Sequence, residues 1–136
     1  MIKSVLFVCY GNACRSVMAE ALAKHYWGER LEVASAGLRP LGYIPLETIR
    51  VLEEIGISTA DLYSKGLSEI EIDDFQLILD LASYSLEDIL PPSFTGKTIH
   101  WLVRDPFHDS LDGFRQTRNS IEWLVTEKLP DWIDGE

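Results

Sequence analysis

Apolar positions follow two rhythms along the chain. Residues 4–9, Ser-Val-Leu-Phe-Val-Cys, are apolar with little alternation, the pattern of a strand buried on both faces. Leu31 to Ala36, Gln76 to Leu81 and Thr98 to Val103 read as three further strands. Between them the spacing lengthens. From about Ser16 to Trp27, the apolar residues Met18, Ala21 and Leu22, with His25 a turn further on, fit a helix. Leu46, Ile49, Leu52 and Ile55 recur every third residue. They predict a helix over Pro45 to Ile55, with proline at its start and Gly56 ending it. Ser83 to Leu90 reads as a short helix stopped by Pro91-Pro92. Phe114, Ile121, Leu124, Val125 and Lys128 predict a closing helix, with Pro130 beyond its end. Residues 57–75 are irregular and acidic.

Strand and helix therefore alternate from one end of the chain to the other. That order predicts an α/β protein: a single domain with a doubly wound, four-stranded parallel sheet and helices on both faces. In such sheets ligands bind at the carboxyl ends of the strands. No repeat, linker or low-complexity segment interrupts the sequence, so residues 1–136 read as one domain.

Composition narrows the function classes. A chain of 136 residues, 46% hydrophobic and 25% charged, can build one ordinary globular core. No stretch approaches membrane-spanning length, and the N-terminal apolar segment is too short and weakly flanked for a signal peptide. The net charge of −10 argues against nucleic acid or an anionic membrane as a partner. It also means that any anionic substrate must be gripped by strong local donors. Cys9 and Cys14 are the only cysteines, too few for a disulfide scaffold and suited to a reducing cytoplasm. His25, His100 and His108 lack a metal-ligand spacing, so no metal or cofactor is expected.

The candidate chemistry lies in Cys9-Tyr10-Gly11-Asn12-Ala13-Cys14-Arg15-Ser16, between the first strand and the first helix. Five residues separate Cys9 from Arg15. Such a stretch can curl so that its N–H groups point inward as an anion nest, with the helix N-terminus adding further donors. Gly11 can take the positive φ that the curl requires. Arg15 offers a planar fork for two oxygens of a phosphate. The same donors stabilise negative charge on the Cys9 sulfur, the form that attacks. Ser16 is placed to hydrogen-bond that sulfur. Asn12 can brace the loop, with Ser35 at the end of the second strand as its partner.

These residues, followed by Met18-Ala19-Glu20, resemble the low-molecular-weight protein tyrosine phosphatases and the related thioredoxin-coupled arsenate reductases. Ser35-Ala36-Gly37 and Asp105-Pro106 resemble the second and third signatures of that group. The resemblance implies a phosphomonoesterase with Cys9 as nucleophile, Arg15 holding the oxyanion and Asp105 as general acid and base. Tyr10, Gly11, Asn12, Ala13, Cys14 and Ser16 would line the substrate, a phosphotyrosine protein or a small aryl phosphate. Asp109 and Asp112 compete with Asp105, with capping of the last helix as their expected use.

The chain departs from these relatives in specific places. Phe107-His108 stands where tyrosine-specific members often carry paired tyrosines, Val17 replaces a common proline, and Leu62 falls where a supporting histidine is common. The arsenate reductases use further cysteines after the third strand, where this chain reads Leu81-Ala82-Ser83-Tyr84-Ser85. Arsenate reduction would therefore need Cys9 with Cys14, or an external thiol. In the phosphatases the residue matching Cys14 can trap the oxidised nucleophile as a disulfide. A non-catalytic oxyanion- or partner-binding module of the same fold is the third reading.

Overall fold

The computed structural model describes residues 1–82, 86 and 89–135. Four strands, β1 (Ser4–Cys9), β2 (Glu32–Gly37), β3 (Leu77–Asp80) and β4 (Lys97–His100), form one parallel sheet in the order β2-β1-β3-β4. The helices are α1 (Arg15–Trp27), α2 (Leu46–Glu53), α3 (Leu111–Trp123) and α4 (Leu129–Asp134). The strand order reverses direction at β1, so β1 ends in the crevice where such sheets bind ligands.

The uninterrupted apolar run of β1 has a direct cause, because every one of its residues is buried. Alternate side chains serve different faces. Val5 and Phe7 join Leu77 and Leu79 against Met18, Leu22, Phe114 and Ile121. Leu6 and Val8 join Ile78, Phe75 and Leu86 on the other face. That second face is covered by 3-10 turns at Leu67–Glu69 and Ile72–Asp74; Leu67 and Ile72, with Ile70 between the turns, pack against it. The α1 residues Arg15 to Ala23 are all buried, which explains why α1 shows only a weak polar–apolar division.

Two sequence expectations need correction. The predicted fourth strand stops at His100 rather than Val103. Beyond it the chain leaves the ladder, with bonds from Trp101 N to Asp80 O (2.8 Å) and from Val103 N to Leu81 O (3.2 Å). Pro130 does not lie beyond the closing helix but within the first turn of α4. A wider π-helical turn at Leu124–Lys128 precedes it. That turn takes up the missing N–H and the ring's clash with the preceding turn, which would otherwise break the helix. The helix expected over Ser83 to Leu90 falls largely outside the described residues. Gly56, by contrast, has φ +78° just past α2, the left-handed conformation expected of a glycine at a helix end.

Candidate active site

Cys9 is the last residue of β1, and α1 begins at Arg15. The loop between them is pinned from several directions. Leu38 N donates to Cys9 O at 3.2 Å, Arg39 N to Tyr10 O at 2.8 Å and Leu41 N to Gly11 O at 2.8 Å. The chain leaving β2 thus runs alongside the loop and fixes its outer carbonyls. Gly37 lies directly beneath it: a Cβ there would sit 2.7 Å from Asn12 N and 2.8 Å from Tyr10 O. The glycine of Ser35-Ala36-Gly37 is therefore a condition of close backbone approach. Thr48 of α2 adds a bond from its hydroxyl to Ala13 O at 3.1 Å.

The positive φ of the curl falls on Asn12 (φ +47°), not on Gly11 as the sequence suggested. Asparagine tolerates that conformation, and here its side chain fixes it. Asn12 Nδ2 donates to Ser16 Oγ and Ser35 Oγ, both at 2.9 Å, and Asn12 Oδ1 accepts from Lys65 N at 2.8 Å. Ser35 Oγ in turn donates to Glu20 Oε1 at 2.5 Å. Lys65 Nζ donates to the same carboxylate oxygen at 3.3 Å, and both charged side chains are buried. The absence of a histidine at Leu62 therefore does not leave Asn12 unsupported. Leu62 packs against the core, and Lys65 with Glu20 takes over the support. Glu20 belongs to the Met18-Ala19-Glu20 stretch of the resemblance, but Lys65 does not stand out in the sequence, because a lysine 45 positions from its glutamate gives no local signal.

Cys9 Sγ lies 2.9 Å from Ser16 Oγ, and either atom can donate. Arg15 is buried and ties three segments together. Its Nη1 donates to Leu81 O (3.2 Å) and Val103 O (3.1 Å), and its Nη2 stands 3.6 Å from Asp105 Oδ2. The carboxyl ends of β1 and β3 and the loop after β4 thus converge on one guanidinium. Asp105 is half-exposed, and its Oδ1 accepts from Phe107 N at 3.0 Å, which sets the orientation of the carboxyl. Cys9, Arg15 and Asp105 open into one pocket. Tyr10, Gly11, Ala13 and Cys14 also line it, together with Leu41 and Phe107, while Asn12 and Ser16 lie fully buried behind it. No side chain caps α1, so its first-turn N–H groups suit a bound anion.

Cys14 precedes Arg15 in the same loop. Burial pushes its thiol up to about 12, with a hydrogen bond from Thr48 only partly offsetting it. Both thiols are free. Asp109 and Asp112 have other occupations: Asp109 pairs with Arg104 at 2.9 Å and Asp112 with Arg115 at 2.7 Å. The cap of α3 is Ser110, which accepts from Gly113 N, rather than either aspartate. Among the described residues no cluster of three or more His, Cys, Asp or Glu side chains could hold a metal ion, and no helix is long and apolar enough to cross a membrane.

Known proteins resemble this chain in sequence and in fold. A glutaredoxin arsenate reductase of Synechocystis sp. is 32% identical over 126 residues, covering 91% of this chain and 94% of that protein. The tyrosine phosphatase amsI of Erwinia amylovora superposes with a TM-score of 0.84 at 28% identity, over 96% of this chain and 93% of its own. An arsenate reductase in its phosphate-binding state superposes with a TM-score of 0.83 at 32% identity, over 97% and 99% of the two chains. The family model for low molecular weight phosphotyrosine protein phosphatase matches residues 4–132, and the chain belongs to that family.

Proposed function

We propose that the chain is a phosphomonoesterase that works through a phosphocysteine on Cys9. The observation that carries this reading is the convergence of Cys9, Arg15 and Asp105 on one pocket, with Cys9 Sγ held by Ser16. The Cys9 sulfur attacks phosphorus while the ester P–O bond breaks, and Asp105 gives its proton to the departing oxygen. Water then attacks the phosphocysteine and loses a proton to Asp105. The P–S bond breaks, and Ser16 stabilises the sulfur that leaves. Arg15 and the loop N–H groups hold the charge on the equatorial oxygens in both steps. Asn12 and Ser35 keep the loop curled.

The pocket walls favour an organic phosphate over a bare oxyanion. Leu41, Tyr10 and Phe107 form an apolar surround next to the anion-binding loop, suited to an aryl group. The test is hydrolysis of para-nitrophenyl phosphate by the wild type and by Cys9→Ser. Activity that survives in Cys9→Ser would rule out the phosphocysteine. Asp105→Asn should slow poor leaving groups more than good ones; equal slowing of both would remove Asp105 as the acid.

Arsenate reduction is the second reading, supported by the names of the curated relatives, one of them coupled to glutaredoxin. Cys9 and Cys14 are the only cysteines, and the Cys14 thiol stays protonated at neutral pH, which makes it a poor attacker. In this reading an external thiol pair supplies the two electrons that reduce arsenic. Arsenate-dependent oxidation of glutaredoxin or thioredoxin, measured beside aryl phosphatase activity, separates the two.

A further inference from the structure

We propose that Arg39 reads a second anionic group on the substrate, so that the preferred substrates are phosphotyrosine peptides with an acidic residue beside the phosphotyrosine. The proposal rests on the phosphatase reading of the Cys9 pocket and names the substrate class of that site.

Arg39 lines the same pocket as Cys9 and Arg15. Its backbone is fixed there, because Arg39 N donates to Tyr10 O at 2.8 Å and the next bond joins Leu41 N to Gly11 O. The guanidinium therefore starts from a set point on the pocket wall. Among the described residues, no hydrogen bond or ion pair engages that guanidinium. This sets Arg39 apart: Arg15, Arg30, Arg104, Arg115 and Arg118 each meet a carboxylate. Arg50, which also lacks an ion pair, sits on α2 outside the pocket. With 22 acidic against 12 basic side chains in the chain, an arginine without an acidic neighbour is not explained by a shortage of carboxylates.

The topology gives the pocket mouth a polarity. β2 and β4 lie on opposite sides of β1 in the sheet. The loop after β2 brings Arg39 and Leu41 to one wall, and the loop after β4 brings Asp105 and Phe107 to the other. A phosphotyrosine held by the loop would place its ring between these apolar side chains. A neighbouring carboxylate is attracted to the Arg39 wall, where arginine offers a fork of donors. Bare arsenate or phosphate has no second group and leaves Arg39 unused.

The test measures binding and turnover separately. Two phosphotyrosine peptides, one flanked by glutamates and one by alanines, are titrated against Cys9→Ser, alone and combined with Arg39→Gln or Arg39→Lys. The glutamate peptide should bind roughly fivefold tighter at low salt, as expected for one solvent-facing charge pair. The ratio should fall to about one with Arg39→Gln and recover in part with Arg39→Lys, because only the charge is then restored. An unchanged ratio in Arg39→Gln, equal binding of the two peptides, or no binding of either overturns the assignment. Wild-type hydrolysis of para-nitrophenyl phosphate is run in parallel. Hydrolysis with equal peptide binding removes Arg39 alone. An Arg39-dependent preference without any hydrolysis sinks the phosphatase reading and keeps the recognition of the second anion.

Discussion

Lys65 Nζ lies 3.3 Å from Glu20 Oε1, and both side chains are buried behind the 9–15 loop. The pair is not isolated. Glu20 also accepts from Ser35 Oγ, and Lys65 N donates to Asn12 Oδ1. Removing one partner of a buried pair leaves an uncompensated charge and costs about 3–5 kcal/mol. Because Lys24 still pairs with Glu20 Oε2 at 2.7 Å, Lys65→Met should lose less than that, about 1–3 kcal/mol in urea unfolding. Adding Glu20→Gln to that variant should cost little more, because the buried carboxylate is then neutral and the half-exposed Lys24 that it releases is solvated. Additive losses in the double variant would mean that the two residues act independently.

Gly37 makes a sharper prediction, because the atoms around its missing Cβ are backbone. Alanine there would press on Asn12 N at 2.7 Å and Tyr10 O at 2.8 Å, and neither can step aside without moving the loop. Gly37→Ala should cost about 1–3 kcal/mol of stability as overpacking. It should also weaken phosphate binding, which is measurable by calorimetric titration. Unchanged phosphate affinity would show that the loop tolerates the displacement.

The two cysteines should respond differently to alkylation. Burial holds the Cys14 thiol near 12, so iodoacetamide at pH 8 should leave Cys14 unmodified in the native chain, whereas the nucleophile role proposed for Cys9 requires that its sulfur be labelled. Bound phosphate should slow the labelling of Cys9. The same burial has a stability consequence with a definite sign. The unfolded thiol ionises near its ordinary value of 9.0, but the native one keeps its proton to about 12. Stability should thus fall as pH rises across that window, and Cys14→Ser should lessen the fall. Equal labelling of both cysteines at pH 8, read by mass spectrometry, would contradict the burial argument.

The site was partly legible because its chemistry is local. Cys9, the curled loop, Arg15 and the start of α1 are contiguous, so spacing alone carries strand end, anion loop and helix N-terminus together. The sheet was legible for a similar reason, since burial on both faces leaves an unbroken apolar run. What the sequence hid depends on register and crossing. Asn12 takes the positive φ because Ser16, Ser35 and Lys65 N hold its side chain, and two of those partners lie on other segments. Glu20, Lys65 and Arg39 acquire their roles only once β2 is paired with β1 and the chain returns past Gly66. That return is marked by the isolated bridge between Gly37 and Gly66. Pro130 misled for the opposite reason: the local rule holds for a regular helix, and the π turn before it is set by tertiary packing of Leu124, Val125 and Leu129.

Asp80 ends β3 opposite Val8, one residue from the Cys9 position. Its Oδ1 accepts from Ala82 N at 3.0 Å, but its buried Oδ2 has no hydrogen-bond partner among the described residues. The groups facing it are His100, with Nε2 at 4.0 Å, and the more distant Arg15. Desolvation raises its carboxyl above the ordinary aspartate value, against the opposing pull of the Ala82 N–H, His100 and Arg15. The native state therefore holds this proton more tightly than the unfolded chain does. As pH rises, the unfolded carboxyl ionises first, and the native state bears a penalty that is complete once pH exceeds the raised value. Asp80→Asn removes that penalty and keeps the Oδ1 acceptor. Its stability relative to wild type should be most favourable at pH 7 and should decline toward pH 4 in urea unfolding. A variant less stable than wild type by the same margin at both pH values would show that the ionised carboxylate is satisfied where it stands.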